Sequence, residues 1–347
     1  MNNGWIVNRR YDSILFILFC FIGLLYGLTT NLFPGVSFLG NSLIYLTLGL
    51  GHFGATWLFY LDSDHRAYFH TKRTLFFYIP GMLVGFSILL AYLGKFEWIQ
   101  IITYWFSGFH VMKQSTGLAN LYRFRAGISS RWDRLIDEAA ILGVSTYCLF
   151  KRCQIRTDFG YEYIFQTPLA GLVIRAAEAA LLACLILWAA KSFGRFKSHG
   201  AGALPLFLIN SASLALFLPF VYVNNFVDAF MASLMGHYAQ YLGLTWLIQH
   251  QKYRSTLGTR GQSSPILAFL SQNVSAMAMV LLGYGVFVTA CSVYSPLFPA
   301  IGLTWAHFFV DRYLFRFRDP YIRAAILPYL KGEAAALKGK PTAPIAI

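Results

Sequence analysis

Apolar runs long enough to cross a lipid bilayer follow one another along almost the whole chain, separated by short segments that carry most of the charge. A run of about 18 or more apolar residues is the signature of a transmembrane helix. Reading the runs between charged or Pro/Gly breaks gives ten candidate spans, at 13–33, 36–60, 74–94, 98–117, 135–150, 168–190, 204–223, 225–249, 265–290 and 297–315. The fifth is short and carries Asp137 and Glu138. Short connections force neighbouring helices to run antiparallel. The pattern predicts an all-α, polytopic transmembrane helix bundle over residues 1–319 that carries the chemistry, with a C-terminal tail at 320–347. The first run follows MNNGWIVNRRYD without a small-residue cleavage site, so it reads as a retained span rather than a signal peptide.

Lys and Arg counts orient the bundle. Basic segments (Arg9 and Arg10; 61–73; 121–134; 191–203; 250–264; the C-terminal tail) alternate with connections that hold one basic residue or none, except at 151–167 with Lys151, Arg152 and Arg156. The positive-inside rule puts both termini in the cytoplasm. The expected location is an integral, multi-pass position in a bacterial inner membrane, with membrane lipids as immediate partners.

Composition narrows the class further. Of 347 residues, 57% are hydrophobic and 12% charged, about half the charge of a soluble domain. The net charge of +14 suggests nucleic acid at first sight. Its Lys and Arg lie in loops where topology requires them, so no nucleic-acid partner is expected. Five cysteines (Cys20, Cys148, Cys153, Cys184, Cys291) are scattered without a CxxC, which implies neither disulfides nor a thiolate metal site.

The chemistry sits in the histidines. His65, His70, His199 and His250 lie in or beside the basic loops, whereas His52, His110, His237 and His307 lie inside spans 2, 4, 8 and 10. Those four spans run in the same direction, and their histidines lie 16, 12, 12 and 10 residues from the outer ends. At 1.5 Å rise per residue the depths agree within roughly 9 Å, so the four form one layer. Each has polar company at helical spacing: Gln114 four residues after His110, Gln240 and Tyr241 three and four after His237, Asp311 four after His307. A metal-bound imidazole usually gives its second N–H to a carboxylate, amide or carbonyl. Asp311, Gln114 and Gln240 are therefore read as supports of the imidazoles or as ligands themselves. A lone intramembrane histidine is as often a plain interhelical hydrogen-bonding group; four in one layer point to function.

Weaker features have plainer readings. Arg175 and Glu178, three apart, are expected to pair with each other. Asp137 and Glu138 are expected to cap the inner end of span 5 beside Arg134. The DSDH at 62–65 could bind a cation, but acidic loop residues flanking basic ones are usually solvated.

The blocks LGLGHFGATWLFY, WFSGFHVMKQ, MASLMGHYAQYLGLTW and GLTWAHFFVDRYLFR resemble, in order and rough spacing, the histidine blocks of the Brp/Blh-type membrane carotenoid oxygenases. His52, His110, His237 and His307 match that family's first, second, third and last block histidines. Thr56 stands where the family's first block has an Asp, and Tyr241 where its third block has a second histidine. Asp311 is one residue nearer its histidine, and no proline precedes His307. The resemblance covers about 60 residues. It implies a multi-pass enzyme that holds non-haem iron through membrane histidines and cleaves a carotenoid-like substrate.

The leading expectation is a membrane-embedded, metal-dependent oxygenase or related oxidoreductase acting on a lipophilic small molecule. Iron is the expected metal, with another transition metal as the alternative. His52, His110, His237 and His307 would be the ligands, and Tyr241 a hydrogen-bond donor near the metal. HxxxH and HxxHH clusters of surface desaturases are absent from the sequence. The rivals are a transporter or proton pathway built on the same buried groups, and a b-type haem protein.

Overall fold

The computed structural model describes residues 4–128, 130–156, 167–256, 264–294 and 300–331. The expected turn at 293–296, the start of the tenth span at 297, most of the 151–167 connection and the tail beyond 331 lie wholly or partly outside the described residues. Among the described residues every regular element is helical. The helices are α1 (Arg9–Leu32), α2 (Pro34–Leu61), α3 (Ser63–Thr71), α4 (Thr74–Tyr92), α5 (Phe96–Arg125), α6 (Arg131–Ile155) and α7 (Pro168–His199). They are followed by α8 (Leu204–Ala215), α9 (Phe226–Thr256), α10 (Pro265–Gln272), α11 (Val274–Tyr294), α12 (Ala300–Leu314) and α13 (Pro320–Lys331).

Local chemistry sets the boundaries. Asp62 accepts from the Asp64 and His65 amides to start α3, Ser130 accepts from Asp133 N to start α6, and Thr167 accepts from Ala170 N ahead of Pro168 to start α7. Gly200 ends α7 at φ +55°, where a side chain would be strained. Five apolar stretches are long enough to cross a membrane: α1, α2, α4, the segment Pro168–Tyr222 and Val274–Val293 in α11. Two expected spans are interrupted. The seventh breaks after Ala215 before a short turn at Pro219–Tyr222, because proline cannot continue the ladder. The ninth breaks at Asn273, which is extended (φ −118°, ψ 92°) and donates its side-chain amide to Phe269 O.

α9 is the hub. It packs most extensively on α1 and also meets α2, α5, α10 and α13. The α1–α9 crossing is close: a Cβ on Gly236 would lie 2.5 Å from Cys20 Sγ and 2.8 Å from Cys20 Cα. Small residues at such crossings are how membrane helices approach without a hydrophobic driving force.

Polar contacts tie the helix ends together. At one set of ends, Arg152 donates to Val223 O (2.6 Å) and Asn224 O (3.1 Å), Asn31 donates to Tyr222 O, and Asp228 accepts from Ser37 and Asn41. Lys151 meets Glu178 at 3.4 Å, and Arg156 donates to Asn224 Oδ1. All three basic residues of the exceptional 151–167 segment therefore serve internal contacts. Glu178 accepts from Tyr147 at 2.9 Å as well, whereas the Arg175 guanidinium bonds back to Gly171 O, so the expected Arg175–Glu178 pair gives way to a bridge from α7 to α6. Asp137 is not a solvated cap. It is fully buried and bonded to Arg123, Lys191 and Arg195, which joins α5, α6 and α7; Glu138 accepts from Asn120 and lies 3.8 Å from Arg134.

In the DSDH segment Asp64 is exposed, but Asp62 and His65 are built in rather than solvated. Asp62 is 1% exposed and accepts from Lys252 Nζ (2.6 Å) and Tyr253 Oη (2.9 Å), while His65 is fully buried beside it. Burial pushes the Asp62 carboxyl up, but His65 and Lys252 outweigh it and hold it well below the usual carboxylate range. Burial pushes the His65 imidazole down, against the pull of Asp62. The first part of the tail, α13, is an amphipathic helix whose Ile322, Ile326 and Leu330 are buried in the main core.

Candidate metal centre

His52 lies on α2 just past a π-helical turn, Tyr45–Gly49. Such a turn holds an extra residue and rotates everything beyond it by about 100°. Here it sets the direction in which His52 points. Gly49 ends the turn, and a Cβ there would sit 3.2 Å from the Tyr238 ring. Its absence lets Tyr238 close to 4.9 Å from the His52 ring.

His110, His237 and His307 come from the middles of α5, α9 and α12. The four imidazoles converge. Ring centroids are 4.3 Å apart for His52–His307, 4.8 Å for His52–His237, 5.0 Å for His110–His237, 5.1 Å for His110–His307 and 6.3 Å for His52–His110. Phe53 and Phe308 wall the cluster, at 5.1 Å from His307 and 4.7 Å from His110. All four histidines are buried.

Asp311 joins them from one turn below His307. Its Oδ2 is 3.6 Å from His307 Nε2 and 3.8 Å from His110 Nε2. Its Oδ1 is held on the other side, by Tyr241 Oη at 2.7 Å and Thr56 Oγ1 at 3.1 Å. Thr56 Oγ1 also lies 2.6 Å from His307 Nδ1 and 2.6 Å from Tyr241 Oη. When His307 donates its Nδ1–H to Thr56, the Nε2 lone pair faces the cluster. Thr56 thus fixes a tautomer and a carboxylate at once.

What remains is a set of buried atoms without partners: both nitrogens of His52 and His237, Nε2 of His110 and His307, and Asp311 Oδ2. Leaving one such group unsatisfied costs roughly 1–3 kcal/mol. Each imidazole can offer only one of its nitrogens to a shared ion, so an ion bound here would satisfy one atom per residue. One donor atom each from His52, His110, His307 and Asp311 lies within 4.8 Å of the others. Imidazole nitrogens with one carboxylate oxygen are a donor set suited to a transition-metal ion.

The six residues His52, His110, His237, His307, Tyr241 and Asp311 are therefore brought together. The two glutamines are not part of the group. Gln240 turns to α1, where its amide donates to Phe16 O (2.8 Å) and lies 3.3 Å from Cys20 Sγ; residues three apart share a face only loosely, and the α1 crossing claims this one. Gln114 reaches only the His237 backbone carbonyl, at 3.4 Å, and so does not orient the His110 ring. Tyr241 touches the carboxylate rather than presenting its hydroxyl as a separate group. Thr56 was missed as a functional residue, although it follows His52 by four residues, the same spacing that singled out Asp311.

Comparison with protein-family models, curated proteins and solved structures finds no match to this chain.

Proposed function

We propose that this protein is a membrane-embedded, metal-dependent oxidoreductase, an oxygenase holding non-haem iron and acting on a lipophilic, carotenoid-like substrate. One observation carries the reading: an unpartnered nitrogen from each of His52, His110 and His307 meets an unpartnered carboxylate oxygen of Asp311 in a buried cluster, with the His237 ring beside them. With ten spans and both termini cytoplasmic, the cluster would lie near the membrane midplane, where a lipid-soluble substrate is at home. The internal engagement of Lys151, Arg152 and Arg156 supports this orientation, since it accounts for basic residues on the otherwise non-basic side.

In this centre His52, His110 and His307 would hold the metal with His237 beside them, and the inner oxygen of Asp311 would be a further ligand, while Thr56 holds the His307 ring through its other nitrogen. Iron bound there would supply open positions for O₂ and substrate. Thr56 and Tyr241 anchor the outer carboxylate oxygen, so the inner one keeps its direction. The Tyr241 phenol is the proton-bearing group nearest that carboxylate. A b-type haem fits less well, because the His52 and His307 rings meet edge to face at 4.3 Å, where a bis-histidine haem would need a macrocycle between them.

The test is metal analysis of detergent-purified protein together with an optical spectrum. A transition metal near one equivalent without a haem band supports the reading. Metal-free protein that folds and spans the membrane would leave a transporter or proton pathway ahead.

A further inference from the structure

Along α9 a polar residue recurs at every fourth position from the centre to the helix end, His237, Tyr241, Thr245, Gln249 and Tyr253, in a row that winds about 40° round the helix at each step. Every one is buried, with Thr245 and Gln249 each 1% exposed. Two members of this row, Tyr241 and Tyr253, are bonded. Tyr241 holds Asp311 at the centre, and Tyr253 donates to Asp62. The middle is not. Thr245 Oγ1 and both side-chain amide atoms of Gln249 have no hydrogen-bond partner; Thr245 approaches the Tyr241 phenol without a bond of good geometry.

The surroundings explain why no protein group serves them. Ala55 and Leu58 of α2, Leu267 and Leu270 of α10, and Met277 and Leu281 of α11 form one buried apolar cluster with Tyr241 and Tyr253. Tyr241 and Tyr253, which bracket Thr245 and Gln249 in the chain, are thus both packed among apolar side chains. A threonine hydroxyl and a glutamine amide left dry there would cost roughly 1–3 kcal/mol each. Steps of four residues advance about 6 Å, too far for direct bonds between hydroxyl and amide groups along the whole row, but suited to one water between successive groups. At its far end the row reaches solvent, since Asp62 also pairs with Lys252, and Lys252 lies 3.3 Å from the exposed carboxylate of Asp64.

We propose that this row is a water-bearing path joining the α2–α3 end of the bundle to the histidine cluster, along which water and protons reach the buried centre. Thr245 and Gln249 are its middle relay positions. Asp62, Lys252 and Asp64 form its mouth, on the cytoplasmic side in the ten-span topology. The path rests on the proposed metal centre only for what its inner end serves. An oxidoreductase sealed in lipid needs such a route for protons, whereas its substrate comes from the bilayer.

Two measurements test it without reference to a bound metal. In the first, Thr245→Cys, Gln249→Cys and Ile248→Cys are made singly, and a small cationic methanethiosulfonate is applied to vesicles of each orientation. Labelling is read by peptide mass. Ile248 is fully buried on the same turn but off the row. The path requires the Cys at 245 and 249 to react at least tenfold faster than the Cys at 248, and from one side only. Equal rates at the three positions overturn it. The second uses the unmodified protein, so it does not depend on a variant folding. Radiolytic hydroxyl labelling should mark Tyr253, Tyr241 and Met277 well above Tyr104 and Met235, which are similarly buried in the main core. Uniformly low labelling of all five means the row is dry and the proposal wrong. Labelling of the row in protein that binds no metal would keep the path and remove the centre.

Discussion

α7 and α9 are almost equal in length, 32 and 31 residues, and opposite in chemistry. The most apolar stretch of Pro168–Tyr222, which includes α7, contains no buried residue; Leu182, Ile186 and Leu187 are each about 60% exposed. α9 does not qualify as a candidate span by apolar composition, yet all of 231–241 is buried. In water the apolar helix would be the inner one. The opposite arrangement is the one a lipid surrounding favours, with the most apolar helix outside and the helix with polar groups finding them partners inside. α5, which brings His110, follows α9 in this. α2 is intermediate: it is apolar enough to span and 61% of its apolar window is buried, as befits a helix that supplies both His52 and a lipid-facing side.

The largest break in this comparison should come from alanine at the inner histidines. His52→Ala, His110→Ala, His237→Ala and His307→Ala should each remove most of the bound metal from purified protein. Leu182→Ala on α7 should leave metal content unchanged and stability within about 0.5 kcal/mol. Comparable metal loss in the α7 variant would mean the readout follows folding rather than ligation.

Asp311→Asn comes next, with an expected cost of roughly 10–100-fold in metal affinity, measured by competition with a chelator. Asp319→Ala removes a carboxylate that pairs with Lys72 and accepts from Tyr68, far from the histidines in role, and should leave metal affinity unchanged. If the two variants bind alike, Asp311 has no part in holding the metal.

A third pair separates support of the centre from support of the bundle. Thr56→Val keeps the shape but takes a hydroxyl from His307 and Asp311, and should lower metal affinity together with stability, by about 1–3 kcal/mol. Gln240→Leu should lower the thermal midpoint by a similar order with metal content intact, since its amide serves α1. Metal loss in the Gln240 variant alone would reverse the assignment.

The smallest effect concerns His65. Burial lowers its folded pKa, so the folded chain keeps it neutral while the unfolded chain takes up a proton below about pH 6.5. Its stabilising share is therefore present above pH 6.5 and declines as pH falls below that value, with a slope of at most about 1.4 kcal/mol per pH unit. His65→Gln should flatten that part of the acid slope between pH 6.5 and 5 in chemical denaturation. Parallel slopes in wild type and variant would show that His65 charges freely in the folded state.

The layer of four histidines was legible because it depends only on span direction and residue count, and both survive errors of a few residues. Helix period also singled out Asp311 and Tyr241. It failed for Gln240 because a residue three positions on can turn to either of two neighbours, and the α1 crossing through Gly23 and Gly236 is a tertiary fact. Thr56 was legible only as a replacement for the Asp of the resembled family; the neighbours from α9 and α12 reveal its hydroxyl as a junction. The breaks at Asn273 and after Ala215 were hidden for a related reason, since hydropathy cannot see a bend inside an apolar run.

Thr56 and His307 touch although 251 residues separate them in the chain. At about 5–20 residues per second, the ribosome needs roughly 13–50 s to deliver the second after the first. During that interval three imidazoles and a threonine wait in the translocating bundle without the helix that completes their cluster. In the proposed centre a metal ion would be held fully only after α12 is in place, so loading would report finished biosynthesis. Nascent chains truncated before Ala300 should insert and remain empty, giving the cell a point at which incomplete copies differ chemically from complete ones.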